Sequence, residues 1–418
     1  MSEDSNNTTI INSTLPICSP IKNHQLREFV IVGILCTICV IIGGIANLTN
    51  IIIFSDRRMR KSPVNLFFIA LSVADGLVLV ASMFMLAWPA IAGYYESFKW
   101  ITYTRTLVPW FYPLALVSQT CSVWLTVAMA VFRCIGITLP LKAQDFCTAG
   151  KAKRTIAAVF LLCILYNIPR CFEIQTRDCY FPSYRAETED IMPTSLRNNR
   201  HYQLVYHAIL SNLLLFAVPF FVLILSSFKI VQAVQQSRLL SFSFGSKTKY
   251  RKDSSDPSMK ESRKVLFRER STTLTLIFVV LFFLVCNILG FVANIMELMM
   301  AIAPQFGESA NFSWMYYILV DLGNLLAVVN SSMNIIIYII FSQQYRLLLL
   351  RCCNRNRDPR GSYIATPAYH QHSLRPSYNR GSSLLETNAT AHSVGPAPST
   401  LITSSTALLA QEPMEEAV

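Results

Sequence analysis

Seven stretches of this chain are almost wholly apolar, and each is bounded by polar, charged or turn-forming residues. They run Val30 to Phe54, Asn65 to Ile91, Leu107 to Phe132, Thr155 to Ile168, Leu204 to Val231, Ser271 to Ala301 and Trp314 to Phe341. All but the fourth reach the roughly 20 residues that a helix needs to cross a bilayer core. The fourth reaches the surface only with Pro169 and its flanks. The first lacks the basic start and small-residue cleavage site of a signal peptide, so it is read as a helix. The pattern predicts an all-α membrane protein, a seven-transmembrane helix bundle over residues 29–341. After it, "FSQQYRLLLLRCC" predicts a short amphipathic membrane-surface helix over 342–353. Residues 1–28 form a polar N-terminal tail. Residues 354–418, rich in Ser, Thr, Pro, Asn and Gly, are expected to be a disordered C-terminal tail.

Composition agrees: 53% of the 418 residues are apolar and only 14% are charged, where soluble domains carry about a quarter charged. The net charge of +12 is uneven. Arg57, Arg58, Arg60 and Lys61 follow the first helix, Lys142, Lys151, Lys153 and Arg154 the third, and a long basic run from Lys247 to Arg270 precedes the sixth. In the alternate connections, Arg177, Arg185, Arg197 and Arg200 are offset by Asp178, Glu187, Glu189 and Asp190. Positive-inside places the N-terminus outside, so the charge is a topology signal and not a nucleic-acid surface. The sequons at Asn6, Asn7, Asn12 and Asn311 then face the glycosylating side, and Asn388 does not. Cys352 and Cys353 stand where palmitate would add a second anchor.

Enzyme readings find no support: no HExxH, nucleophile elbow, Walker loop or metal-spaced Cys/His cluster occurs. His201 and His207 flank the start of the fifth helix and suggest no shared site, and the seventh helix has no lysine for a retinal Schiff base. Polar groups inside the helices point to function instead. Asp75 lies mid-way along the second helix, with Asn47, Ser122, Asn330, Ser331 and Asn334 at comparable depth. A lone carboxylate there is neutral, paired or beside an ion, and these oxygens suit a small cation such as sodium or a polar helix-packing network. Asp321 and Glu297 lie near the outer ends of the seventh and sixth helices, where a basic ligand group would meet them.

Over residues 29 to 353 the chain resembles the rhodopsin-like (class A) family of G-protein-coupled receptors. The resemblance rests on "GGIANLTN" with Asn47, "LSVAD" with Asp75, Arg133 at the inner end of the third helix, Pro219 in the fifth and "NIIIY" (Asn334 to Tyr338) in the seventh. The longer runs "YPLALVSQTCSVWLTVAMAVFR", "LPLKAQDFCTAGKAKR", "YNIPRCFE" and "DLGNLLAVVNSSMNIIIY" resemble invertebrate FMRFamide-type neuropeptide receptors.

The resemblance implies a plasma-membrane receptor for an amidated neuropeptide, signalling through a heterotrimeric G protein, and it strengthens the sodium reading at Asp75. Asp321 and Glu297, with the loop acids Glu187, Glu189 and Asp190, are then expected at the peptide's arginine. Tyr112, Leu116, Gln119, Met296 and Tyr317 are expected around its phenylalanine. Arg133, Pro140, Tyr338 and the basic connection before the sixth helix are expected at the G protein. Receptor kinases and arrestin would meet the tail at serines such as Ser382 and Ser404, and "EEAV" offers a weak PDZ signal. A seven-helix transporter or channel, and a poorly coupling peptide-binding decoy, are the competing readings.

Departures from the family pattern are specific. Phe132 and Cys134 replace the acid and tyrosine on either side of Arg133, which leaves Glu269 as the expected clasp on the arginine. "CNIL" (Cys286 to Leu289) lacks the family's tryptophan and proline, Ile335 replaces a proline, and Ser227 a tyrosine. Val108 stands where the third helix of that family supplies a disulfide cysteine. Cys179 is left with Cys18 or Cys171, and the expected pair is Cys18–Cys179, pinning the N-terminal tail over the pocket.

Overall fold

The computed structural model describes residues 15–18, 26–57, 59–60, 62–247, 257–303, 305 and 309–355. Among these, seven helices are long and apolar enough to cross a membrane: Leu26–Phe54, Pro63–Tyr94, Phe98–Thr138, Ala149–Phe172, Arg200–Ala233, Ile277–Met300 and Asn311–Phe341. The predicted bundle is therefore borne out, with longer ends than the apolar runs indicate for every span but the sixth. The third helix runs 41 residues. The fourth gains length because Thr148 caps it, its hydroxyl accepting from Lys151 N at 3.3 Å, and because Ile168–Phe172 continues it as a 3₁₀ turn. The juxtamembrane helix spans Gln343–Arg355.

Local chemistry shapes these helices. Wide π turns at Met83–Ala87 and Leu213–Ala217 lie just before Pro89 and Pro219. A proline supplies no N–H to the preceding turn and its ring presses on that turn, so the backbone widens there. The sixth helix, with leucine at 289, runs unbroken from Pro257 to Ile302. Small residues allow close packing. A Cβ on Gly43 would run into the Ser332 side chain, and one on Gly323 would lie 3.2 Å from the Gly290 backbone nitrogen. The sixth and seventh helices thus meet backbone to backbone.

The core follows the third helix, where Cys121, Leu125 and Met129 meet Phe67, Leu223, Phe283 and Tyr338. Outward faces stay apolar, with Ile41, Ile45 and Leu48 more than half exposed, as a lipid-facing surface requires.

One element has no counterpart in the sequence reading. Between the fourth and fifth helices, β1 (Ile174–Phe181) and β2 (Ala186–Pro193) form an antiparallel hairpin, with Asp178 opposite Glu189 and Cys179 opposite Thr188. Both strands expose polar residues, so no alternating apolar pattern announces them. Tertiary bonds hold the hairpin in place. Cys18 is disulfide-bonded to Cys179, and the N-terminal segment lies alongside β1 through Cys18 N to Tyr180 O and Tyr180 N to Pro16 O, both 2.9 Å. From the third helix, Arg105 forms an ion pair with Asp190 at 3.3 Å, donates to Glu189 O at 3.3 Å and stacks over Phe181. Asp190, expected near a ligand, anchors the hairpin to the third helix through this pair.

Candidate functional site

Three constellations carry polar chemistry. The first is in mid-bundle. Asp75 is fully buried, and Ser122 Oγ donates to its Oδ1 at 2.7 Å, Ser331 Oγ to Oδ1 at 3.1 Å and Asn334 Nδ2 to Oδ2 at 2.8 Å. Asn47 ties the first helix in by donating to Ser331 O at 2.8 Å and Gly43 O at 3.0 Å. Its Oδ1 is a buried acceptor without a hydrogen-bond partner. Asn330 is buried beside Ser331. The third and seventh helices thus supply only neutral donors to a carboxylate of the second. That oxygen-rich cluster and the orphaned amide oxygen fit a small cation.

The second constellation lies beneath the hairpin. Glu173, fully buried, accepts from Tyr112 Oη at 2.5 Å, Tyr202 Oη at 2.7 Å and His207 Nε2 at 2.8 Å. It pairs with Arg197 at 3.2 Å and Arg170 at 3.6 Å. Burial alone would push its carboxyl up. Hydrogen bonds from His207, Tyr112 and Tyr202, with the Arg170 charge, hold it at about 2. Arg170 also donates to Ser211 Oγ at 2.9 Å and lies over the Tyr206 ring. The nearby Nη1 atoms of both arginines suit a neutral His207 ring, with Nδ1 accepting and Nε2 donating to Glu173.

Beside this cluster, a cavity of about 290 Å³ opens between the tops of the fifth and sixth helices, with Arg197, Gln203, His207, Asn294, Glu297 and Leu298 among its lining. Of the expected ligand residues, Glu297 lines this cavity, and Tyr112 reaches the same region through Glu173. Met296 is buried, Tyr317 is half exposed, and Leu116 and Gln119 are half-buried on the third helix. Asp321 is engaged by Arg27 of the first helix at 3.2 Å. Glu173, Arg170, Arg105 and Arg27 do not stand out in the sequence, and the position of His207 at the start of the fifth helix suggests no site there. An acid and an arginine three apart in "PRCFE", at the end of an apolar run, were the available signal for the first two.

The third constellation is at the opposite end. Arg133 is half-buried, and its neighbour Phe132 packs on Phe67 with ring centroids 4.8 Å apart. An apolar contact therefore occupies the place of the missing acid. Cys147 Sγ donates to Phe132 O at 3.4 Å, and burial pushes its thiol up against the pull of Arg133 and Lys151. Tyr345 of the juxtamembrane helix donates to Asn50 Oδ1 at 2.6 Å and packs with Phe54 and Tyr338. Cys352 is exposed, and Asn311 is exposed on the first turn of the seventh helix. The side chains of Glu269, Pro140 and Cys353 lie outside the described residues, as do Asn6, Asn7, Asn12 and the tail serines.

The family described as serpentine type 7TM GPCR chemoreceptor Srw matches residues 34–355. The chain is similar to the probable G-protein coupled receptor frpr-1 of Caenorhabditis elegans, 27% identical over 79% of this chain and 80% of that one. It is 30% identical to the FMRFamide peptide receptor frpr-18 of the same organism, over 75% of this chain and 67% of the relative. To the FMRFamide receptor of Drosophila melanogaster it is 25% identical over 80% of its own length, spanning 56% of that protein.

Proposed function

The chain belongs to the serpentine seven-transmembrane G-protein-coupled receptor family Srw, and on that footing we propose that it is a plasma-membrane receptor for an amidated, FMRFamide-like neuropeptide. It is a multi-pass membrane receptor and not an enzyme. What supports the peptide reading most is the polar cavity at the hairpin end, in a chain that resembles receptors named for FMRFamide along most of its length. An outside N-terminus accords with the Cys18–Cys179 disulfide at that end and with the basic connections at the other.

The peptide enters at the hairpin end. Glu297 supplies an acid for its basic group, with Asp321 a second where the ligand's cation displaces Arg27, and Tyr112, Leu116, Gln119, Met296 and Tyr317 supply apolar and aromatic surface. Binding there favours a conformation with an opened cytoplasmic face. Arg133, Pro140 and Tyr338 meet the G protein, with Glu269 as the clasp on Arg133 at rest. The Asp75 cluster takes sodium, which would add a positive charge between carboxylate, hydroxyl and amide oxygens and so stabilise the resting packing. Glycans on Asn6, Asn7, Asn12 and Asn311, palmitate on Cys352 and Cys353, and kinase, arrestin and PDZ contacts in the tail complete the reading.

The test is a calcium and cAMP readout in cells expressing the chain, challenged with amidated peptides ending in Arg-Phe. A saturable response at nanomolar peptide, without membrane current, supports it. Silence at confirmed surface expression removes it.

A further inference from the structure

Arg27 and Asp321 form an ion pair that joins the outer ends of the first and seventh helices, through Nη2 and Oδ2 at 3.2 Å. It differs from the other charged contacts at this end of the bundle. Arg105 meets both a carboxylate and a carbonyl of the hairpin and covers the Phe181 ring. Glu173 is met by two guanidiniums, an imidazole and two phenols. Arg27 turns one nitrogen to Asp321, while its Nε and Nη1 are buried with no hydrogen-bond partner. A guanidinium meets a carboxylate best as a fork, with two parallel N–H···O bonds, and buried donors left unbonded cost free energy. The pair is therefore weaker than the same two groups could make it in a bidentate geometry.

The setting of Arg27 agrees. It stands in the first turn of its helix, Leu26–Glu28, where the helix dipole disfavours a cation. The next residues, Phe29–Leu35, are wound as a π helix, and no proline between Leu26 and Phe54 accounts for it. Such segments are rare and gather at functional sites. Asp321 lies one turn inside Tyr317, which is exposed. Its own side chain keeps 14% exposure, so a group arriving from outside meets it without opening the bundle.

We infer that Arg27 is a resident occupant of Asp321, standing in for a ligand guanidinium, and that binding exchanges one arginine for the other. The exchange conserves charge at the carboxylate. One cation leaves as another arrives, so the acid is not left buried alone. It also releases the outer end of the first helix. Cys18, disulfide-bonded to Cys179, still holds the N-terminal segment to the hairpin, so Arg27 stays close and returns when the ligand leaves. Occupation by Arg27 lowers the apparent affinity of any ligand that needs Asp321, in proportion to the fraction of molecules in which the acid is open. A ligand without a cation escapes that competition. Arg27 thus sets the affinity threshold for basic peptides. The inference rests on the peptide-receptor reading above and adds to it the residue that competes with the ligand.

The experiment is competition binding on membranes from cells expressing the full chain. The probes are FMRFamide and its analogue in which citrulline, neutral but of the same shape, replaces arginine. Arg27→Gln and Asp321→Asn, which break the pair from opposite sides, are compared with the unaltered chain at matched surface expression. Arg27→Gln is expected to tighten FMRFamide about tenfold, the gain if Asp321 is open in about a tenth of molecules, and to leave the citrulline analogue unchanged. The ratio of the two affinities therefore widens in Arg27→Gln and narrows in Asp321→Asn. Arg27→Lys keeps the charge and loses the fork; it serves where Arg27→Gln fails to reach the surface, with a smaller gain expected. A plain joint between helices would weaken both probes alike in both variants. That outcome, or an unchanged ratio in Arg27→Gln, overturns the inference while leaving the receptor reading intact. Failure of both probes to bind the unaltered chain removes the receptor reading and this inference together.

Discussion

Among the described residues two carboxylates are fully buried, Glu173 and Asp75, and their surroundings are opposite. Glu173, beneath the hairpin, is met by two guanidiniums, an imidazole and two phenols. Asp75, in mid-bundle, is met by two hydroxyls and one amide. The first set compensates charge with charge. The second solvates a charge without cancelling it. Burial of a carboxylate is tolerated in either case, because its lone pairs are occupied. Only the second leaves an electrostatic demand that a mobile cation can meet. Glu173 is accordingly a joint between the fourth helix, the hairpin and the fifth helix, whereas Asp75 has the makings of a regulated site.

The largest expected consequence is at Glu173. Glu173→Ala leaves Arg170 and Arg197 facing each other without an acid, and removing one partner of a buried pair costs about 3–5 kcal/mol. We expect loss of surface expression, or a large fall in the thermal midpoint of detergent-purified protein. An unchanged midpoint would break the comparison. The charge itself can be isolated with pH. The folded carboxyl is held at about 2 against an ordinary 4.5, so its stabilising contribution is complete above about 4.5 and is lost as pH falls toward 2. The midpoint difference between the unaltered chain and Glu173→Gln is therefore constant from pH 7 to about 5 and shrinks below that.

A smaller effect separates the two networks donor by donor. Ser122→Ala removes one of three neutral donors from Asp75 and is expected to cost about 1.5–3 kcal/mol, whereas Tyr202→Phe leaves Glu173 with four partners and costs about 1 kcal/mol. Equal losses in thermal unfolding would erase the distinction. The smallest stability change is expected from Asp75→Asn, which keeps the packing and removes an uncompensated charge. Its signature lies elsewhere: peptide affinity in the unaltered chain falls several-fold when sodium replaces choline, and in Asp75→Asn it does not. A sodium response that survives the substitution would remove the ion from Asp75.

The same contrast explains how much of the molecule was legible in its residues. The Asp75 group could be read in advance because each member stands at a set depth in an apolar helix. Polarity where lipid or core demands apolarity is conspicuous, and depth is nearly fixed by position along the helix. The Glu173 group could not be read that way. Tyr112, Arg170, Glu173, Arg197, Tyr202 and His207 lie at helix ends and in a connection, where polar residues are ordinary and nothing in their spacing unites them. The hairpin escaped for a related reason. It has no apolar face of its own and takes its position from Cys18, Arg105 and the N-terminal segment.

Asp321 shows the limit from the other side. Its depth near the outer end of the seventh helix was evident, but its pairing with Arg27 was not, because that contact joins the two ends of the bundle's chain order. The sequence by itself determined the seven spans, their apolar outer faces and the depth of each intramembrane polar group, since hydrophobic run length and helical rise are local properties. Only the tertiary structure decided which charges meet, which acids remain available to a ligand and where the cavity opens. Those depend on how helices rotate and pack, and packing brings together side chains that the chain keeps far apart.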